Sequence, residues 1–352
     1  MAYARAMKIS MMITYGDDPR VAVEHAQAME RAGVDQAWVA EAYSFDAVST
    51  LGFLAASTET MELVSGILPI YSRTPTLTAM TAATLDSLSG GRFSLGLGAS
   101  GPQVIEGWHG VPYDRPLGRT REVVEVCRKV WKRERLEHEG RNYQMPYKGE
   151  GATGLGKPLK LINTPLREDI PIYIAAIGEK NVEMTAEIAN GWIPIFFYPE
   201  KVQDAWGVSL AAGKAKRDAA LGELEVIAGG MVAITKTEEE AVEMRHFARP
   251  TAALYIGGMG AKSKNFYNTL FQRYGYEAEA EQIQDLYLAG KKEEAAAAVP
   301  DEFLAATNLV GTEGFIKDRL AAFKEAGVTS LTAHPAGEDP LAVVTQLKEW
   351  AN

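Results

Sequence analysis

The chain has 352 residues, 47% of them hydrophobic, with a formal net charge of −10 and a pI near 5.2. Such a composition suits one large buried core, and the acidic balance excludes a broad nucleic-acid footprint and an anionic membrane surface as partners. A single cysteine, Cys127, excludes an internal disulfide, and neither a secretory leader nor an uninterrupted apolar span can be read, so a cytoplasmic protein is expected.

In chain order, 8–14 (KISMMIT) reads as the first strand. Asp17-Asp18-Pro19 then caps and opens a helix running to about Ala32. Residues 36–40 (QAWVA) form the second strand, ending at Glu41, and 45–57 the second helix. The third strand is 61–67 (MELVSGI). Thr74-Pro75 opens a helix to about Leu88, and 93–97 (FSLGL) is the fourth strand. Strand–helix units of about 30 residues are the signature of parallel βαβ packing.

The second half keeps the rhythm with two interruptions. Residues 116–134 form a long amphipathic helix in which Cys127 sits among valines and reads as core. Residues 135–169 are polar and rich in Gly, Lys and Pro, with a hairpin-like Glu139-Gly140-Arg141-Asn142; an insertion over the barrel mouth is expected. The fifth strand is 171–176, Gly178 and Glu179 open the next helix, and 191–196 is the sixth strand. Residues 199–221 read as helix, 225–234 as the seventh strand and 238–248 as its helix. The stretch 252–300 is too long for a loop and reads as extra helices. Thr312-Glu313 start the last barrel helix, 329–333 is the eighth strand and 340–350 a closing helix. Eight units argue for a (β/α)8 TIM barrel, one domain over 1–352 with insertions at about 135–169 and 252–300.

The fourth strand runs into Gly98-Ala99-Ser100-Gly101, which carries almost no side chain. Small residues at the carboxyl end of a barrel strand let a ligand touch the main chain, although a tight turn without ligand reads equally well.

Several blocks carry a resemblance. They are Trp38-Val39-Ala40-Glu41-Ala42-Tyr43, Ser65-Gly66-Ile67 with Tyr71-Ser72-Arg73-Thr74-Pro75, and 95–102 with Glu106-Gly107-Trp108-His109-Gly110. Ile174-Ala175-Ala176-Ile177-Gly178, Gly257-Gly258-Met259-Gly260 and Leu309-Val310-Gly311-Thr312 follow in the same order. Together they resemble the bacterial-luciferase-like superfamily. Within it they resemble the oxidoreductases that use the deazaflavin coenzyme F420, a group that includes methylenetetrahydromethanopterin reductases. The resemblance implies a luciferase-like TIM barrel, a homodimer or higher homo-oligomer, and F420 as cofactor, with FMN the alternative.

It also implies roles. A non-proline cis peptide, Ser65–Gly66 or Gly66–Ile67, would back the central ring of the cofactor, and Glu41 would face that ring. Gly98, Ala99 and Ser100 would lie along the ring and ribityl chain. Ala176, Ile177, Gly178, Glu179, Lys180 and Asn181 would meet the tail phosphate at a helix start, and Arg73 is an added cation for the polyglutamate tail. Glu41, Tyr43 and His109 are the proton-donor candidates. Beside these stand plainer readings: a cap or salt bridge for Glu41, pocket wall for Tyr43, a packed histidine for His109. Sugar-phosphate dehydrogenases of the superfamily carry a His where this chain has Ala42, and a catalytic Glu where it reads Gly101-Pro102. Reduction of an electron-poor double bond or carbonyl in a small-molecule substrate therefore fits better than alcohol oxidation. The remaining histidines, His25, His138, His246 and His334, have no metal-ligand spacing, and no metal is expected. An FMN monooxygenase and a non-catalytic flavin or deazaflavin carrier are the competing functions.

Overall fold

The computed structural model describes residues 6–13, 16, 18–260, 262 and 265–351. Eight parallel strands close into a ring: β1 (Lys8–Ile13), β2 (Gln36–Val39), β3 (Glu62–Ser65), β4 (Phe93–Gly98), β5 (Ile172–Ala175), β6 (Gly191–Ile193), β7 (Glu225–Ile234) and β8 (Ser330–Pro335). Each strand pairs with the next, β6 joins β7 through Gly191 and Glu225, and β8 returns to β1 through Ser330 and Lys8. Thr14 and Asp17, assigned from sequence to the first strand and the first helix cap, lie outside the described residues; Asp18 supplies the cap.

Helices α1 (Pro19–Arg31), α2 (Ala47–Ser57), α3 (Pro75–Leu88), α4 (Pro116–Trp131), α5 (Glu179–Ile188), α6 (Val202–Lys214) and α7 (Glu238–Arg245) follow the first seven strands. Four more, α8 (Phe266–Arg273), α9 (Glu277–Leu288), α10 (Lys292–Ala297) and α11 (Asp301–Thr307), form the second insertion, before α12 (Glu313–Glu325) and the closing α13 (Pro340–Ala351). Alternate strand residues point outward, so Ile9, Met11 and Ile13 join the core under the helices. The inward residues fill the barrel in layers. At the amino-terminal end Lys8 pairs with Glu62, Gln36 donates to Glu62, and Ser330 donates to Gln36. Above them Trp38, stacked on Tyr173 at 5.9 Å, packs with Val64 and Ile227.

Several boundaries move for physical reasons. β6 stops at Ile193 because Pro194 has no N–H for the ladder. β7 has ten residues and outruns β6, so its upper edge would be open; a short strand, Leu309–Gly311, pairs with Val232–Ile234 and covers it. The 199–221 helix is α6 alone, flanked by two short turns. The first insertion does not cover the mouth. Its hairpin, His138–Glu139 against Gln144–Met145, lies along α4, because the buried Glu122 carboxylate accepts the N–H groups of Asn142 and Tyr143 and binds His138. The chain then returns to the amino-terminal end, where Arg167 ion-pairs with Asp86. Cys127 is fully buried and its thiol is pushed up to about 12 by that burial, leaving it inert.

The third strand ends at Ser65, two residues short of the expected Ile67. The Ser65 hydroxyl accepts the Gly96 N–H at 2.8 Å and donates to the Gly96 carbonyl at 3.0 Å. The Gly66–Ile67 peptide is cis, the Gly66 N–H donates to Val39, and Leu68–Pro69 resumes pairing beside Leu97 and Gly98. A Cβ at position 96 would stand 1.8 Å from the Ser65 carbonyl oxygen, and one at 98 would stand 2.9 Å from Ile67. Both glycines are thus required by the bulge of the neighbouring strand, before any ligand is considered.

Gly96→Ala forces backbone apart and should cost about 3 kcal/mol. Gly314→Ala, in α12 with nothing within 4 Å, should stabilise by about 0.5–1 kcal/mol. Urea denaturation of both variants checks the contrast; equal effects would contradict the tight contact at Gly96.

Candidate active site

The carboxyl ends of the strands gather the residues singled out from sequence. Glu41, past β2, lies against Arg73, past β3: the guanidinium donates to both carboxylate oxygens at 2.5 and 2.8 Å. The side chains are only 8% and 14% exposed. Glu41 also accepts the Ala47 N–H at the start of α2. Its carboxylate is therefore fully engaged, and so is the cation expected to await a cofactor tail.

Ser65 is buried with its hydroxyl committed to Gly96. Gly66 faces inward, since a Cβ there would stand 3.0 Å from the Trp38 ring and 3.7 Å from Met12. Ile67 packs on Gly98, so Gly66, Ile67, Gly98 and Ala99 present a small apolar pad at the mouth. Ser100 turns the chain with φ 56°, a left-handed backbone uncommon outside glycine. Tyr113, unremarked in the sequence, braces this loop: its hydroxyl donates to the Ser100 carbonyl and its ring packs on Tyr71. Arg119 lies over Tyr71 and Tyr143 and is paired with Asp114.

Of the proton-donor candidates, Tyr43 is 71% exposed and lies near Trp108. His109 is half-buried, and its Nε2 has no partner and no solvent access. The three candidates sit in different environments, and Tyr43 alone among them stands in the open mouth.

The turn after β5 is fixed from behind. Trp192 donates its indole N–H to the Ala176 carbonyl, Trp206 donates to that of Ile177, and the two indoles meet edge to face at 5.0 Å. This delivers Gly178 as the cap of α5. The N–H groups of Asn181 and Val182 bond to Gly178, while those of Glu179 and Lys180 lie in the first turn, where no intrahelical acceptor exists. The Asn181 side-chain oxygen is buried without a partner. Lys180 points away to Glu183, whose carboxyl is held down to about 2 by Lys216 and then Lys180. The cation that reaches the helix start is Arg273 of α8, 3.1 Å from Glu179. Nothing in the local sequence marks it, because the second insertion carries it there.

That insertion also brings aromatic side chains. Tyr255 packs on Phe196 and Tyr267, and Phe266 lies 3.5 Å from where a Gly178 Cβ would stand. Burial raises the Tyr267 phenol's pKa, with Tyr255 and Tyr113 adding to the effect. Gly257 and Gly258 lie flat under Tyr287, which explains the glycine run as packing. A cavity of about 510 Å³ opens beside Tyr43, between α1 and the turn after β2, lined by groups such as Ile13, Val21, Val39, Phe45 and His25.

The chain belongs to the luciferase-like monooxygenase family, whose model matches residues 3–330. It is 41% identical over 335 residues to a protein of Mycobacterium tuberculosis provisionally named a coenzyme F420-dependent oxidoreductase, covering 92% of this chain and 94% of that one. It is 28% identical over 322 residues to a 5,10-methylenetetrahydromethanopterin reductase of Archaeoglobus fulgidus, covering 90% of each. Among solved structures, the F420-dependent tetrahydromethanopterin reductase of Methanopyrus kandleri superposes with a TM-score of 0.78 at 23% identity, covering 98% of both chains.

The Glu41–Arg73 pair yields a direct test. Glu41→Gln or Arg73→Met alone leaves a charge or polar group stranded and should cost about 3 kcal/mol. The double variant should recover part of that loss, as read by chemical denaturation; additive losses would contradict the pairing.

Proposed function

We propose that the protein is an F420-dependent oxidoreductase working as a reductase on a small organic substrate. The observation that carries this reading is that two features share one end of the barrel on neighbouring strands: an apolar pad at the β3 bulge beside β4, and, after β5, a helix start with undonated N–H groups and an arginine beside it. A flat ring and a phosphate need those two surfaces together. Ser65, Gly66, Ile67, Gly98, Ala99 and Ser100 would hold the ring, with Ser65 acting only through the bulge. Ala176, Ile177, Gly178, Glu179, Lys180 and Asn181 would hold the phosphate, helped by Arg273 rather than Arg73. When bound, the deazaflavin supplies hydride at its C5.

The direction follows from the acids. Glu41, the acid that ends β2, is tied to Arg73 and to α2 and is not free to act as the base of an alcohol oxidation. In this reading Glu41 fixes the loops that flank the ring, Tyr43 closes the substrate side, and His109 supports the loop after β4. The 41% identical relative's name supports F420 over FMN. A single barrel domain with two insertions is the unit that acts. The buried lone cysteine suits a cytoplasmic protein, and among the described residues no helix is long and apolar enough to cross a membrane.

A second copy of the chain is the expected partner. Helices α2 and α3 carry one charged residue between them, the buried Asp86, yet lie on the outside of the barrel. Phe53, Leu77, Met80 and Leu88 are exposed along them. An outer helix with an apolar solvent face needs a cover, and two copies of one face satisfy each other about a two-fold axis.

Fluorescence titration tests the cofactor. F420 should bind more tightly than FMN at low salt, and its affinity should fall as salt rises, because the tail contacts are solvent-exposed. Arg273→Ala should flatten that dependence. Tighter FMN binding at every salt concentration would replace the deazaflavin reading with the monooxygenase.

Met80→Glu tests the partner. Sedimentation should find a dimer or higher oligomer for the wild type and a folded monomer for the variant. A wild-type monomer would remove the proposed interface.

A further inference from the structure

His334 stands apart from the side chains considered so far. Along β8 the inward residues alternate: Ser330 donates to Gln36 across the barrel, and Thr332 bonds Ser10. Leu331 and Ala333, between them, face the outer core. The period of two puts His334 on the inward face, at the carboxyl end of the last strand. It is exposed, and among the described residues it has neither a hydrogen bond nor an ion pair. The surrounding protein lowers its pKa by desolvation, so at neutral pH the ring is uncharged and offers one donor and one acceptor nitrogen. β8 lies on the far side of β1 and β2 from the β3 bulge, so the imidazole and the apolar pad stand on different walls of one mouth.

The charges around that mouth define what can enter. Arg73 is held by Glu41, Arg119 by Asp114, Lys180 by Glu183 and Arg273 by Glu179. The side cavity beside Tyr43 has one charged lining side chain among the described residues, the acid Asp18, and its other groups are mostly apolar. A substrate entering the side cavity would meet mostly apolar groups, and the acid there, Asp18, already answers to Arg20. His25, which lines the same cavity, is likewise kept neutral by burial.

We propose that the substrate is an uncharged, largely apolar carbonyl or imine compound, and that the His334 imidazole hydrogen-bonds its polar atom at the open face of the cofactor ring. This rests on the cofactor reading above. His109 is half-buried with its Nε2 shut off from solvent, whereas the His334 side chain is exposed. The hydrogen bond orients the electrophilic carbon toward the ring, and the apolar remainder extends toward the cavity beside Tyr43.

Two measurements test it. Diethyl pyrocarbonate acylates neutral, accessible imidazoles; mass mapping should find His334 modified in the free protein and protected at least tenfold when F420 and cyclohex-2-enone are both saturating, with exposed His246 unchanged. Lack of protection in protein that binds F420 would overturn the placement. If F420 does not bind, the cofactor reading fails instead, and the same protection is expected from FMN. The second measurement is oxidation of reduced F420 by neutral acceptors (cyclohex-2-enone, cinnamaldehyde, menadione) against the anionic cinnamate. Neutral acceptors should be reduced and cinnamate should not. His334→Phe should raise KM for the neutral acceptor at least tenfold with F420 affinity within twofold, and His334→Gln, which keeps an N–H donor, should restore KM to within threefold. Preference for the carboxylate, no reduction of any neutral acceptor by F420-binding enzyme, or an unchanged KM in His334→Phe would each overturn the proposal.

Discussion

The two hydrogen bonds between the Ser65 hydroxyl and the Gly96 peptide are the constraint on which the rest of the site depends. They hold β3 against β4 at the point where β3 leaves the ladder, and they force glycine at position 96. The bulge that follows sets Ile67 against Gly98 and Gly66 over Trp38. Trp38 in turn stacks on Tyr173, whose hydroxyl donates to Glu225 at the closed end of the barrel. The pad at the mouth is thereby supported by a continuous column of packed side chains, because a close-packed interior transmits position from one layer to the next.

Charge is arranged around this column by pairing. In an acidic protein a free cation at the mouth would draw any anion. Here Arg73, Arg119, Lys180 and Arg273 each answer to an acid of the same fold. Glu41–Arg73 is largely buried and rigid, whereas Arg273–Glu179 is exposed and easily exchanged for another anion. Depth decides which cation remains available, since the coupling of an exposed pair is weak in water and that of a buried pair is costly to break.

The two insertions act differently although both interrupt the same repeat. The first is drawn onto α4 by Glu122, which satisfies its carboxylate with hairpin N–H groups. The second reaches the mouth and brings Arg273, Tyr255 and Tyr267 with it. Glu122 is buried on α4. Its burial decides that the 135–169 segment flanks the barrel instead of covering it.

The sequence by itself determined the repeat. Alternating apolar runs, Pro and Gly punctuation, and helix caps such as Thr74 and Gly178 are local signals, and they placed eight strands and the α5 start, while the break in β3 came from the family resemblance. Side-chain partners across the barrel were not legible, because they depend on strand order and register among residues far apart in the chain. The tertiary structure alone decided that Arg73 answers Glu41, that Arg273 lies against Glu179 while Lys180 pairs with Glu183, and that the Nε2 of His109 is shut off from solvent. It also decided that His334, one of several scattered histidines in the sequence, stands open on the inward face of the last strand. Closing β8 onto β1 puts residues more than three hundred positions apart side by side, and no local pattern carries that contact.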